Sequence, residues 1–449
     1  MKTDVVIVGG GPGGTTAAMY LAREGIQSII VEQAEFPRYH IGESMTGEAG
    51  FIVRELGLTE EMEKHEFPVK KGTKVLGPTE RSVWWIRVAG RNQDNELFNV
   101  DTWQVRRSDF DKIMLDAAVT RGIPLIVGKA TRPLLNDDGS IRGVEVRLAD
   151  RGTVEIEAEV VLDCSGQSTF LANAGVTGPK YLGNYDKQIA IFSQVKGAIR
   201  DNGGSRQNDK DNTLIFYKSK FHWSWFIPLN EEDVSVGVVI PSAYFVGKKE
   251  SKRDFLVREL HELHPDLARR VPEINLVEDV RGIPNYSYQV RGFCGKGYIC
   301  IGDAHRFIDP IFSFGLAVTM LEAKMAVPHV KAYLEGKNRD SANPFAAHQF
   351  ACEHGADVLE DMIDLFWEQP LAFAFFVHAR YIEDLTDAFA GRIHVNQPSR
   401  AIMAFRKMLK RERQYDDGDF YSVPIGSRYH PERAPLWQAN ASQVVGLDL

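Results

Sequence analysis

The sequence predicts an α/β protein with three parts: a Rossmann-like domain with a parallel sheet, a substrate-side domain on a mixed or antiparallel sheet, and a helical C-terminal region. Three observations lead there. An apolar run, DVVIV at 4 to 8, enters GGGPGG and then a helical stretch, the order of elements that grips a dinucleotide diphosphate. Residues 70 to 100 and 185 to 245 lose helical periodicity and gain β-branched and aromatic residues, as sheet does. From about Leu316 to about residue 412 the pattern is helical, with apolar residues at helical spacing.

The first strand, 4 to 8, has the continuous apolar character of a strand buried on both faces. Gly9, Gly11 and Gly14 follow as GxGxxG: the first permits the tight turn, the second close approach of a diphosphate, the third close packing of the helix. That helix runs to about Gly25, and IIVEQ at 29 to 33 is the second strand. Glu32 ends it, where a carboxylate accepts hydrogen bonds from a ribose diol and repels a 2′-phosphate. These residues alone permit NAD or FAD. Helices near 47 to 57 and 108 to 122, a hairpin at Asp137-Asp138-Gly139, and the strand VVLDCSG at 160 to 166 return the chain to this first unit. QIAIFSQV, TLIFYKS, SWFIPL and VSVGVVI between 185 and 245 extend the second sheet, and a helix at 251 to 263 leads toward the closing strand YICIGDA. The expected division is therefore 1–69, 101–180 and 281–330 for the dinucleotide-binding domain, 70–100 and 181–280 for the second sheet, and 331–449 for the helical region, with the last 35 residues irregular.

A chain of 449 residues exceeds one ordinary core and implies two or three units. Its net charge of −8 and pI near 5.9 argue against general affinity for nucleic acid or anionic membrane, and the basic run Arg406 to Arg413 reads as a solvated helix face. Cys164, Cys294, Cys300 and Cys352 have neither zinc spacing nor a disulfide framework, so no metal is expected and the thiols read as reduced and mostly buried. No apolar run approaches the roughly 20 residues of a spanning helix, and the amino terminus enters a strand directly, so a cytoplasmic enzyme without a membrane partner is expected.

Four further segments narrow the reading: PRYHIGES at 37 to 44, VRRSDFD at 105 to 111, VLDCSG at 161 to 166, and IGDAHRFIDPIFSFG at 301 to 315. Together they resemble the flavoprotein group of para-hydroxybenzoate-hydroxylase-type monooxygenases, geranylgeranyl reductases and flavin-dependent halogenases. The resemblance covers roughly residues 3 to 330. It implies FAD as cofactor, with Arg38, Ser44, Arg107, Ala130, Asp303, Pro310 and Gly315 joining Gly9, Gly11, Gly14 and Glu32 around it. Asp303, ending an apolar strand, can accept hydrogen bonds from ribityl hydroxyls. A helix opening near Gly315 would present free N–H groups to the flavin ring or to an anion.

Within that group the chain resembles the halogenases. Trp223-Ser224-Trp225-Phe226-Ile227-Pro228 matches their WxWxIP pattern, which implies that Trp223, Trp225, Ile227 and Pro228 screen the flavin from organic substrate; core packing is the plain alternative. Phe307 to Gly315 fits FxxPxxSxG, which implies a chloride or bromide site at Ser313, Phe314 and Gly315; an ordinary flavin-edge turn is the alternative. Lys70-Lys71-Gly72 supplies the lysine found two residues before a glycine, which implies that Lys70 is catalytic; a surface lysine is the alternative. On one continuous strand Lys70 and Lys74 would share a face opposite Lys71.

Two departures refine the expectation. Ala172 stands where single-component hydroxylases carry an arginine, which implies that a separate flavin reductase supplies reduced FAD. Phe312 stands where tryptophan-acting halogenases carry a glutamate, which implies a phenol or pyrrole substrate, in many such members tethered to a carrier protein. His305, after GDA, reads as a hydrogen-bonded flavin-side residue. The expected activity is halogenation of an electron-rich arene through hypohalous acid relayed by Lys70. An FAD-dependent aromatic monooxygenase and a non-catalytic FAD module are the alternatives.

Overall fold

The computed structural model describes residues 1–409 apart from 80, 81, 150, 151, 179, 186, 291 and 395–397. The expected irregular tail, and the part of the basic run beyond Leu409, lie outside the described residues.

A first sheet runs in the order Lys129–Leu135, Ile141–Leu148, Gly152–Asp163, Lys2–Val8, Ser28–Glu32, Leu125–Val127. Its centre is the long strand Gly152–Asp163, which serves three partners along its length. Its first half pairs antiparallel with Ile141–Leu148, and its second half lies parallel to Lys2–Val8 and to Tyr298–Cys300. The glycine-turn helix Pro12–Arg23 packs on this sheet and against the helix Gly315–Leu334.

A second sheet has the order Asn275–Leu276, Gln188–Lys196, Asp233–Pro241, His222–Pro228, Thr213–Ser219, Gly72–Leu76, Val83–Arg87. Its two faces build two separate cores. One face, with Ile191, Phe216, Phe226 and Val236, packs on Phe255, Leu256 and Leu260 from the helix Lys252–Glu262. The other, with Trp84, Trp223 and Trp225, packs on the C-terminal helices. Period-2 alternation along His222–Pro228 thus sends both tryptophans to the helical side and Phe226 to the other.

The structure departs from the sequence reading at several points. Lys70 and Lys74 do not share a strand, because Val69–Lys70 pairs with Thr102–Trp103 while Gly72–Leu76 joins the second sheet. Where the second of these strands begins only glycine fits: a Cβ at Gly72 would lie 2.1 Å from the Trp85 ring and 2.4 Å from the Ile86 carbonyl oxygen. The strand Arg281–Pro284 pairs with Gln188–Lys196 and so extends the second sheet, not the first. The helical region is broken into Gly315–Leu334, Ala346–Glu368, Pro370–Phe375, a wide turn Phe376–Arg380, Ile382–Ala390 and Arg400–Met408, with Pro370 and the left-handed Gly391 (φ 105°) among the interruptions. Arg406 is not solvated: it is buried and donates to the buried Asp361 carboxylate at 2.7 Å, because its helix packs against Ala346–Glu368.

All four cysteines are free thiols, three of them buried and Cys164 partly so. Among the described residues no helix is long and apolar enough to cross a membrane.

Candidate functional site

Two groups of the predicted residues assemble in different places. The first surrounds the glycine turn. Gly9 takes φ 109°, and a Cβ there would lie 2.3 Å from the Cys164 carbonyl oxygen; at Gly14 it would lie 1.9 Å from the Gly9 carbonyl oxygen. Gly11 differs: its nearest neighbour would be the Arg38 guanidinium at 3.5 Å. The space over Gly11 is therefore open, as a diphosphate at the free N–H groups of Pro12–Arg23 requires. Glu32 is fixed beside this turn, its carboxylate accepting from Gly10 N–H at 2.7 Å and Ala34 N–H at 2.8 Å. Arg38 and Arg107 converge on the buried Asp111, at 3.0 Å and 2.7 Å. They border a cavity of about 150 Å³ that His40, Arg106, Gln194 and Glu278 also line. Ala130 is the second residue of the strand Lys129–Leu135, paired with Val146.

Asp303 lies half-buried in the turn Gly302–Ala304 after Tyr298–Cys300. Burial raises its carboxyl to about 7 against the pull of the Arg107 guanidinium. Among the described residues no hydrogen bond occupies that carboxyl, which leaves it available to a hydroxylated ligand. The open glycine turn, the fixed Glu32 and the unoccupied Asp303 together fit an FAD.

The second group surrounds Lys70, which is only 3% exposed. Its amine donates to Ser44 Oγ at 2.8 Å and to the Met45 carbonyl at 2.9 Å. Ser44 Oγ shares a 2.8 Å hydrogen bond with Thr213 Oγ1, which accepts from Gln104 Nε2 at 2.9 Å. Ser44, expected at the cofactor, thus has its hydroxyl engaged by the lysine. No carboxylate bonds this amine among the described residues, and burial pushes its pKa down to about 7. Lys71 and Lys74 face elsewhere, on Asp209 and Asn208.

The residues expected to hold halide lie beside the tryptophans. Pro310–Phe312 form a tight turn, Ser313 takes φ 59°, and Phe314 precedes the helix Gly315–Leu334, whose first N–H groups lack intrahelical partners. Phe312 and Phe314 lie in one apolar cluster with Trp223, Trp225 and Ile227. The two indoles stand 5.9 Å apart, and Trp225 Nε1 donates to Ser235. Pro228 ends the same buried strand. Phe389 of Ile382–Ala390 meets Phe312 at 5.0 Å, Phe314 at 6.0 Å and Trp84 at 5.8 Å. The same C-terminal segment reaches the lysine side: Arg392 pairs with Glu48 at 2.6 Å, and a Cβ on Gly391 would touch Thr46, next to Met45. Sequence reasoning missed Trp84, Phe389, Thr213 and Gln104; each is joined to the site only by long-range contacts.

His305 lies behind the Asp303 turn, stacked on Phe293 at 3.9 Å and paired with Glu322 at 2.9 Å. Burial alone would raise the Glu322 carboxyl, but His305 and the Gly302 N–H outweigh it and hold it at about 2. Glu322→Ala leaves the buried His305 ring and the Gly302 N–H without their acceptor, at roughly 1–3 kcal/mol per buried group, so it is expected to lower denaturant stability by that order. Because the folded pKa lies below the ordinary 4.5, the contribution is present above about pH 4.5 and disappears as pH falls toward 2. An unchanged denaturation midpoint at pH 7 would contradict this.

Comparison with known proteins agrees with these features. Residues 2–342 match the family described as FAD binding domain. The chain is 34% identical, over 83% of its length and 87% of the relative's, to a 1H-pyrrole-2-carbonyl-[peptidyl-carrier protein] brominase of Pseudoalteromonas luteoviolacea. A 1H-pyrrole-2-carbonyl-[peptidyl-carrier protein] chlorinase of Pseudomonas fluorescens is 29% identical, covering 90% of this chain and 93% of that one. The solved structure of the flavin-dependent brominase Bmp2 superposes with a TM-score of 0.84 at 32% identity, covering 91% of this chain and 98% of that one. The chain belongs to the flavin-dependent halogenase family, built on the FAD-binding fold.

Proposed function

We propose that this enzyme halogenates a pyrrole ring held on a carrier protein, and that Lys70 hands the halogen to the ring. The observation that carries the relay is the state of that amine. It is buried, it spends two N–H bonds on Ser44 and Met45, and burial brings its neutral form into reach near pH 7. The tethered pyrrole is supported by the named substrates of two relatives and by Phe312, packed among Trp84, Phe366, Phe373 and Phe389. No carboxylate stands at that loop position to take a ring proton, so the substrate must activate its own ring.

Gly9, Gly11, Gly14, Glu32, Arg38, Arg107, Ala130 and Asp303 would hold FAD, with Pro310 and Gly315 at the flavin edge. Reduced FAD, delivered by a separate flavin reductase, supplies with oxygen the chemistry that oxidises halide to hypohalous acid. The backbone at Ser313, Phe314 and Gly315 offers the halide N–H donors at a helix start. Trp223, Trp225, Ile227 and Pro228 keep the organic substrate on the far side of an apolar wall. At Lys70 the N–X bond forms as the X–O bond breaks, and the hydroxyl leaves as water with one amine proton. The ring carbon then takes X, and the ring's displaced proton returns to nitrogen, which regenerates the amine.

The test is aerobic turnover with FAD, a flavin reductase, NADH, and chloride or bromide. Pyrrole-2-carbonyl on a phosphopantetheine-loaded carrier is compared with free pyrrole-2-carboxylate and with phenols. Halogen isotope patterns on the carrier-bound ring are expected. Oxygen insertion without halogen would make the enzyme a hydroxylase, and preference for free substrate would remove the carrier.

A further inference from the structure

The halide loop rests on a buried carboxyl group that the reaction described above does not use. Asp309 sits directly before Pro310 and caps the Pro310–Phe312 turn, Oδ1 accepting from Ile311 N–H at 3.0 Å. Its Oδ2 lies 3.1 Å from the Tyr286 hydroxyl, which also lies 3.1 Å from Gln188 Oε1. All three side chains are buried. A phenol has one proton, so it cannot donate to both oxygens at once. If Asp309 is ionised, one buried acceptor loses its donor. If Asp309 carries a proton, the chain closes: Asp309 O–H donates to the Tyr286 oxygen, and Tyr286 O–H donates to Gln188 Oε1.

We propose that Asp309 works as a protonated, uncharged acid beneath the halide loop, so that the N–H groups there face an anion with no fixed negative charge behind them. This rests on the reading that Ser313, Phe314 and Gly315 hold halide. Asp309 is thereby a positioning residue: it shapes the turn and sets the local charge without touching the reacting atoms. Burial raises its pKa to about 7, opposed only by the Ile311 N–H and the Tyr286 hydroxyl. Tyr286 itself is pushed well upward by burial and by Asp309, so the phenol stays protonated. Among the described residues no lysine, arginine or histidine contributes to the ionisation of either group.

The decisive measurement is infrared difference spectroscopy of wild type against Asp309→Asn from pH 6 to 9, paired with halide KM over the same range. The carbonyl stretch of a protonated carboxylic acid is expected in wild type below about pH 7 and absent from Asp309→Asn. Tyr286→Phe, which keeps the ring, should move that band because the acid loses its acceptor. Halide KM of wild type should rise roughly tenfold above that pH, the order of one like charge in a partly screened interior. Lys70 also loses charge across this range, so the comparison is with Asp309→Asn, which retains Lys70 and should show a smaller rise. Absence of the acid band at every pH would overturn the proposal; it is what a reversed Gln188 amide, donating to the phenol, would give. An identical pH dependence of halide KM in Asp309→Asn would overturn it as well. The infrared band needs no halide, so its loss is distinguishable from a failure of the halogenase reading, which would appear as wild type making no halogenated product.

Discussion

Lys70→Ala is expected to abolish halogenation, lowering product formation by about 10²–10⁴-fold, while reduced flavin is still consumed by oxygen at nearly the wild-type rate. The asymmetry follows from the two separate groups of residues. Those that fit FAD, around Gly11, Arg38 and Asp303, do not include the Lys70 amine, which is held by Ser44 and Met45. Losing the side chain also leaves the Ser44 hydroxyl and the Met45 carbonyl short of a donor, a stability cost of roughly 1–3 kcal/mol per buried group. Lys70→Met refills the volume but leaves the same two acceptors without a donor, so it should also melt below wild type and make equally little product; the unchanged flavin oxidation rate in both variants separates the chemistry from that cost. At saturating halide the wild-type rate should climb as pH rises through about 7 and then level, because burial lowers this amine from 10.5 to about 7 and the uncharged form accumulates above that value. Product from Lys70→Ala equal to wild type would remove the lysine from the mechanism.

The parts of the molecule that were legible in the sequence are those fixed by local spacing. The glycine turn, the strands Thr213–Ser219 and His222–Pro228, and the helix opening at Gly315 each depend on a few adjacent residues. Lys70 marks the limit. Its position before Lys71-Gly72 was readable, but its burial was not, because the residues that enclose it come from elsewhere: Ser44, 26 positions away, with Thr213 another 169 beyond Ser44. The strand that follows begins at Gly72, where Trp85 and Ile86 leave no room for a Cβ. Arg406 illustrates the same point in charge: beside other basic residues it reads as solvated, and only the packing of its helix brings Asp361 to it. Phe389 and Trp84 meet across 305 residues (389 minus 84), and no period in either segment announces that contact.

The glycine turn permits a second large effect, in which two substitutions of the same kind separate folding from cofactor binding. Gly14→Ala would place a methyl carbon 1.9 Å from the Gly9 carbonyl oxygen and 3.0 Å from Ile7. The obstacle is backbone, so no flexible side chain can yield. A cost of at least about 3 kcal/mol is expected, a large share of the roughly 5–15 kcal/mol that holds a folded protein. Gly11→Ala meets nothing closer than the Arg38 guanidinium at 3.5 Å, and φ −73° there is open to any residue. The FAD-free protein should melt within about 0.5 kcal/mol of wild type. Its methyl nevertheless stands where the diphosphate must approach, so FAD affinity should fall by on the order of 100-fold, equivalent to roughly 2.8 kcal/mol. Thermal unfolding without FAD and fluorescence titration with it read the two effects separately. If Gly11→Ala bound FAD as tightly as wild type, the diphosphate would not cross that glycine; if Gly14→Ala melted normally, the close packing of the helix on the turn would not be what requires glycine there.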